Sequence, residues 1–142
     1  MVTVAEVMGQ CLCSRMRKLG RSVTRLYNHE LRPAGLNYSQ FNVLAVLDHL
    51  GPCSIAHMSE KMGVDRTTLL RNLGLLKRRG LIERLKIDGR VGCYVPTVQG
   101  HVALQRAIPF WEAAEIRMAQ FIGTSELAGL RQVFDTLAAA IR

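Results

Sequence analysis

The run from Ser54 to Pro96, SIAHMSEKMGVDRTTLLRNLGLLKRRGLIERLKIDGRVGCYVP, constrains the fold more than any other part of the chain. Ile55, Met58 and Met62 recur at helical spacing, and Ser54 stands where a hydroxyl can accept from a free N–H of the first turn. Gly63 supplies the left-handed backbone that ends a helix at low cost, Val64 can plug the turn, and Asp65 can cap a second helix. From Arg66 to Arg79, the residues Leu69, Leu70, Leu73 and Leu76 mark one buried stripe, and Gly80 stops the helix. Leu81 to Lys86 then alternates as a strand, Asp88-Gly89 is a strong turn dipeptide, and Gly92 to Pro96 returns. Two short helices, a tight turn and a basic hairpin outline a winged helix-turn-helix, a fold that is mainly α with a small β-hairpin wing.

The face of the second helix opposite its leucines carries Thr67, Thr68, Arg71 and Arg78, with Asn72 at its edge. These residue types suit a DNA major groove: Arg can bond two acceptors on guanine, Asn can pair with adenine, and Thr can touch a phosphate or a thymine methyl. The N-terminal part of such a helix reaches base edges, so Arg66, Thr67, Thr68 and Arg71 are the expected base readers. Lys77, Arg78 and Arg79 at the far end are expected on phosphates, which hold register without reading sequence. Arg90, near the hairpin tip, can enter a narrow minor groove. Leu75 also falls on the outward face and interrupts the polar pattern.

The net charge of +8 is unevenly placed. Residues 55–95 hold nine Lys/Arg against four Asp/Glu and residues 1–36 six against two, whereas residues 97–142 hold four of each. A localised basic module beside a neutral C-terminal segment favours a defined phosphate-binding face over loose polyanion binding. The 142 residues are expected to form a single domain, with 1–36 and 97–142 as a helical dimerisation region and 37–96 as the DNA-binding lobe. No apolar run has membrane-spanning length and no signal peptide is legible, so a cytoplasmic protein with no membrane partner is expected.

Leu12, Met16, Leu19, Val23 and Leu26 step by four and three, which predicts a long amphipathic helix over 4–31, softened at Gly20 and ended by Arg32-Pro33. A helix is expected over about 39–50, and another over 97–122 with a kink at Pro109. Gly123 closes that helix, and Thr124 or Ser125 is expected to cap a last one. Long amphipathic helices at both termini offer more apolar surface than one small domain can cover. A two-fold homodimer buries it and sets two recognition helices about one DNA turn apart, roughly 34 Å.

With these motifs in place, the chain resembles the MarR family of transcriptional regulators. The resemblance rests on the long first helix, on LNYSQFNVLAVL entering the second, on MSEKMGVDRTTLLRNLGLLKRRGLI, and on PTVQG opening the long C-terminal helix. Asp88-Gly89-Arg90 is similar to the family's Asp-x-Arg wing motif. The resemblance implies a homodimer on double-stranded DNA at a pseudo-palindromic operator, acting as a repressor that a small effector or thiol oxidation releases.

It also places an effector pocket near Arg17, Arg25, His29, Tyr38, Phe41, His49 and Trp111, whose basic and aromatic chemistry suits an aromatic carboxylate or a phenol. The spacing of Cys13, Arg21, Tyr27, Tyr38 and Gln40 is similar to the organic-hydroperoxide-sensing branch, in which a helix-one cysteine is oxidised beside tyrosines. Tyr27 matches one of those tyrosines and Arg17 stands where the other belongs. With that second tyrosine missing, the favoured reading of Cys13 is a small apolar residue at a helix interface. Cys11 and Cys13, two apart on one expected helix, make a poor chelating pair, so neither a metal nor a cofactor is expected. No nucleophile elbow or phosphate-binding glycine loop occurs, which argues against an enzyme.

Overall fold

A computed structural model describes residues 2–87 and 90–141, with the side chains of 87, 90 and 91 outside the described set. Helix α1 spans Val4–Gln10 and α2 spans Leu12–Leu31. The expected single helix is broken at Cys11, whose ψ of 107° is extended, and runs unbroken through Gly20. A short 3-10 turn over Arg32–Ala34 leads to α3, Tyr38–Leu50. Asn37 and Gln40 cap α3 reciprocally: the Gln40 N–H donates to Asn37 Oδ1, and the Asn37 N–H donates to Gln40 Oε1.

The lobe that follows is built largely from its caps. Ser54 Oγ accepts from the His57 N–H to start α4, Ile55–Met62. Gly63, at φ 61°, closes α4, and the Val64 carbonyl accepts from the Ser59 hydroxyl. Asp65 starts α5, Arg66–Arg78, by accepting from both the N–H and the hydroxyl of Thr68. Those two bonds hold its carboxyl below the usual range. Strands β2, Ile82–Ile87, and β3, Arg90–Pro96, form the antiparallel wing, with Arg84 opposite Tyr94 and an irregularity between Leu85 and Lys86. A two-residue strand β1, Cys53–Ser54, pairs with the other edge of β3 and gives the order β1-β3-β2. This third strand has no sequence signal of its own.

The core joins α3, α4, α5 and the base of the wing through Leu44, Leu47, Met58, Leu69, Leu73, Leu76 and Ile82, all fully buried. Leu70 is 41% exposed and belongs to the outward face, whereas Leu75 is half-buried; α5 is rotated from the expected orientation. Helix α6, Val98–Ile122, continues through Pro109 and packs against α2 and α3. Its first turn lies on the end of α5. The Thr97 hydroxyl donates to the Gly80 carbonyl at 2.6 Å and the Thr97 N–H to the Leu81 carbonyl at 3.0 Å. The last helix, α7, spans Thr124–Ala140; Gly123 is its N-cap, and neither Thr124 nor Ser125 supplies a side-chain cap. Helices α1 and α7 bury no residue at all. Among the described residues no helix is long and apolar enough to cross a membrane.

Candidate nucleic-acid interface and adjoining cleft

Helix α5 presents Arg66, Thr67 and Arg71 to solvent along its first two turns, with Lys77 and Arg78 exposed at its end. Five of the expected contacts thus share one open surface. Thr68 is half-buried, and its hydroxyl donates to the Asp65 cap, so it braces the start of the helix rather than facing a groove. Asn72 departs from expectation outright. It is 7% exposed, and its amide donates to the Thr68 carbonyl one turn earlier, which removes it from base reading. Arg79 leans away from the end of α5, its Nη1 donating to Gln40 Oε1 at 3.4 Å, and serves as a link to α3.

On the wing, the Arg84 guanidinium lies over the Tyr94 ring, 5.7 Å from its centre. Cation–π stacking and the cross-strand pairing of Arg84 with Tyr94 fix this arginine on the hairpin. The sequence reading missed it because only the strand register brings Arg84 and Tyr94 together. Asp88 and Gly89 lie outside the described residues, as does the side chain of Arg90.

A cleft lies among α2, α3, α6 and α7. A cavity of about 370 Å³ has Met16, Leu19, Val23 and Thr24 of α2 on one wall. Tyr27, Tyr38, Trp111, Glu115 and Phe134 complete it. A second cavity of about 560 Å³ shares Tyr38, Trp111 and Glu115 and adds Phe41 and Asp48. Tyr27 and Tyr38 meet edge to face at 5.5 Å, and Phe41 stacks on Trp111 at 6.2 Å.

Of the residues expected around an effector, Tyr38, Phe41 and Trp111 line this cleft. Arg17, Arg25 and His29 line neither cavity and are exposed on α2, and Arg25 donates to Ser22 on its own helix. His49 lies elsewhere, beside Leu50 and Lys61. The face of α2 that carries the basic residues is not the face that meets α3 and α6. Glu115, unforeseen in the sequence, is the charged group at the centre. Its Oε1 accepts from the Tyr27 hydroxyl at 2.5 Å, and its Oε2 from Arg131 of α7 at 3.1 Å. Burial, followed by the hydrogen bond to Glu115, pushes the Tyr27 phenol well above its ordinary range.

The expected pairing of Tyr27 with Cys13 is not made, because the tyrosine hydroxyl is engaged by Glu115 and Cys13 is exposed. Cys11 and Cys13 do not share a helix, since Cys11 stands at the break between α1 and α2. Hydrogen bonds from Ser14 lower the Cys11 thiol pKa.

Residues 34–90 match the family model described as MarR family. The chain is similar over 93% of its length to 96% of the M. tuberculosis transcriptional regulator MosR, with 30% identity and a TM-score of 0.83. It is equally similar to MosR in complex with DNA, at 31% identity over the same shares and a TM-score of 0.81. The PcaV transcriptional regulator from Streptomyces coelicolor, in complex with its natural ligand, has the same fold, with 21% identity over the full length of both chains and a TM-score of 0.84. No curated protein sequence matches.

Proposed function

The chain belongs to the MarR family of DNA-binding transcriptional regulators and is not an enzyme; from that premise we propose that it is a cytoplasmic homodimeric repressor, released from a pseudo-palindromic operator by a small ligand. The observation that carries the DNA reading is the open face of α5, where Arg66, Thr67 and Arg71 stand beside a wing that holds Arg84. Arg66, Thr67 and Arg71 read bases; Lys77 and Arg78 hold phosphates. The dimer reading rests on apolar side chains that nothing within one chain covers. Val4, Val7 and Met8 of α1, Leu12 of α2, and Val133 and Leu137 of α7 are all exposed. So much uncovered apolar surface marks an interface, and a second copy is the occupant that gives two recognition helices.

The cleft among α2, α3, α6 and α7 is where an effector acts. It lies between the surface proposed for dimerisation and the DNA-binding lobe, so a ligand that favours one lobe separation disengages one half-site. The expected choice of an aromatic carboxylate or a phenol narrows here. Arg17, Arg25 and His29 were the reason for an anion and are outside the cleft, so a hydrogen-bond donor to Glu115 suits it better than a carboxylate. Oxidation of Cys13 is the second reading, favoured by the exposure of that thiol, although Tyr27 gives it no support.

Substitution tests the assignment. Arg71→Ala should weaken specific binding more than binding to random duplex, and Arg78→Ala should weaken both and make the salt slope shallower by about 1. Equal losses for Arg71→Ala on specific and random DNA would remove that side chain from base reading.

A further inference from the structure

The charges of the cleft point away from acids altogether. Glu115 lines both cavities and Asp48 the second, and among the described residues no Lys, Arg or His lines either. The basic partners of these carboxylates approach from outside: Arg131 reaches Glu115 from α7, and His101 reaches Asp48 at 2.6 Å. A carboxylate has about four lone-pair sites, and the Tyr27 and Arg131 bonds use one on each oxygen of Glu115. Acceptor capacity therefore remains on Glu115, with its side chain 29% exposed.

Aromatic side chains share its cavity: Tyr27, Tyr38, Trp111 and Phe134 all line it with Glu115. Aromatic rings attract a cation over their faces, and a low-dielectric wall strengthens that attraction. Aromatic walls beside one carboxylate, whose own cationic partner Arg131 does not line the cavity, suit an organic ammonium. The volume of about 370 Å³ lies within the range of small-molecule sites.

We infer that this cleft takes a protonated organic amine carrying an apolar group, with its ammonium against Glu115 and its apolar part among the aromatic rings and Met16. The inference rests on the reading of the cleft as the effector site and names the class of effector. An aromatic carboxylate of the same size would place its charge against Glu115 and be rejected.

Trp111 is the only tryptophan of the chain and lines both cavities, so its fluorescence reports occupancy of this site directly. Three probes of near-equal size separate the charges: 2-phenylethylamine, 2-phenylethanol and 3-phenylpropanoate, titrated at neutral pH against the full-length protein. The amine should quench Trp111 with at least about tenfold higher affinity than the carboxylate, with the alcohol between them, as a charge-assisted hydrogen bond implies. Glu115→Gln should cut amine affinity about tenfold and leave the alcohol unchanged. The wild-type order stands without the variant, should Glu115→Gln fold poorly. Preference for 3-phenylpropanoate overturns the amine and leaves the cleft reading intact. Equal amine affinity in wild type and a folded Glu115→Gln also overturns it. No response to any of the three probes overturns the amine and the cleft reading together.

Discussion

The joint between the recognition helix and the long helix α6 makes a sharp prediction at Gly100. A Cβ placed there would lie 2.0 Å from the Leu81 carbonyl oxygen, 3.0 Å from its carbon and 3.3 Å from Pro96 Cβ. Ordinary contact begins near 3.4 Å, so Gly100→Ala must part α6 from the α5–β2 turn by roughly 1.4 Å. Neither partner is the end of a flexible side chain. That displacement breaks the bonds from Thr97 to Gly80 and Leu81, each worth about 1 kcal/mol net. Overpacking adds about 1–3 kcal/mol, and alanine returns about 1 kcal/mol of helix propensity. The balance is a loss of about 2–4 kcal/mol, which lowers the midpoint by roughly 4–16 °C at this chain length. Gly74→Ala is the matched control. Its Cβ would meet only Arg78 Nη1, at 3.6 Å, so the propensity gain stands alone and the variant is stabilised by about 0.5–1 kcal/mol. Thermal melts followed at 222 nm decide the matter. A Gly100→Ala protein as stable as wild type would refute the argument that this glycine is there for close approach.

Two further predictions concern ionisable groups. The folded-state pKa of Asp65 is depressed, so its stabilising effect is present above the ordinary carboxylate range and lost as pH falls through the lowered value. Asp65→Asn keeps an N-cap without a titrating group and should flatten the acid limb of a stability–pH profile; an unchanged limb would assign acid lability elsewhere. For the thiol, stoichiometric organic hydroperoxide should leave operator affinity equal in wild type and Cys13→Ser, because Tyr27 serves Glu115 and not the sulfur. Release seen in wild type and absent from Cys13→Ser would move the switch from the cleft to the thiol.

Local chemistry was the legible part of this chain. Ser54, Gly63, Asp65 and Gly80 start and stop their helices through bonds to residues a few positions away, so spacing alone reveals them. The wing was legible because β2 and β3 alternate on either side of a turn dipeptide. Features made by long-range contact were not. Strand β1 is two residues long and exists only because β3 pairs with it. Asn72 has a side chain suited to adenine, yet a rotation of α5 turns it inward and Leu70 outward.

The effector region shows the same limit. Tyr38, Phe41 and Trp111 were pointed to by the family resemblance, and they line the cleft. Glu115 was missed because its partner Tyr27 lies 88 positions away. The same resemblance pointed to Arg17, Arg25 and His29, but these side chains are exposed on α2 and line neither cavity. The family resemblance carried the fold and the DNA-binding class, and it could not supply the charge of the cleft.

Selection from a pool of random duplexes by the purified full-length protein, followed by sequencing of the retained DNA, tests the central claim most directly. A homodimer with one recognition helix per copy predicts an inverted repeat whose half-sites lie about 10 base pairs apart, centre to centre. Enrichment of a single half-site without symmetry would contradict the dimer, and retention with no enriched sequence would contradict base reading by α5.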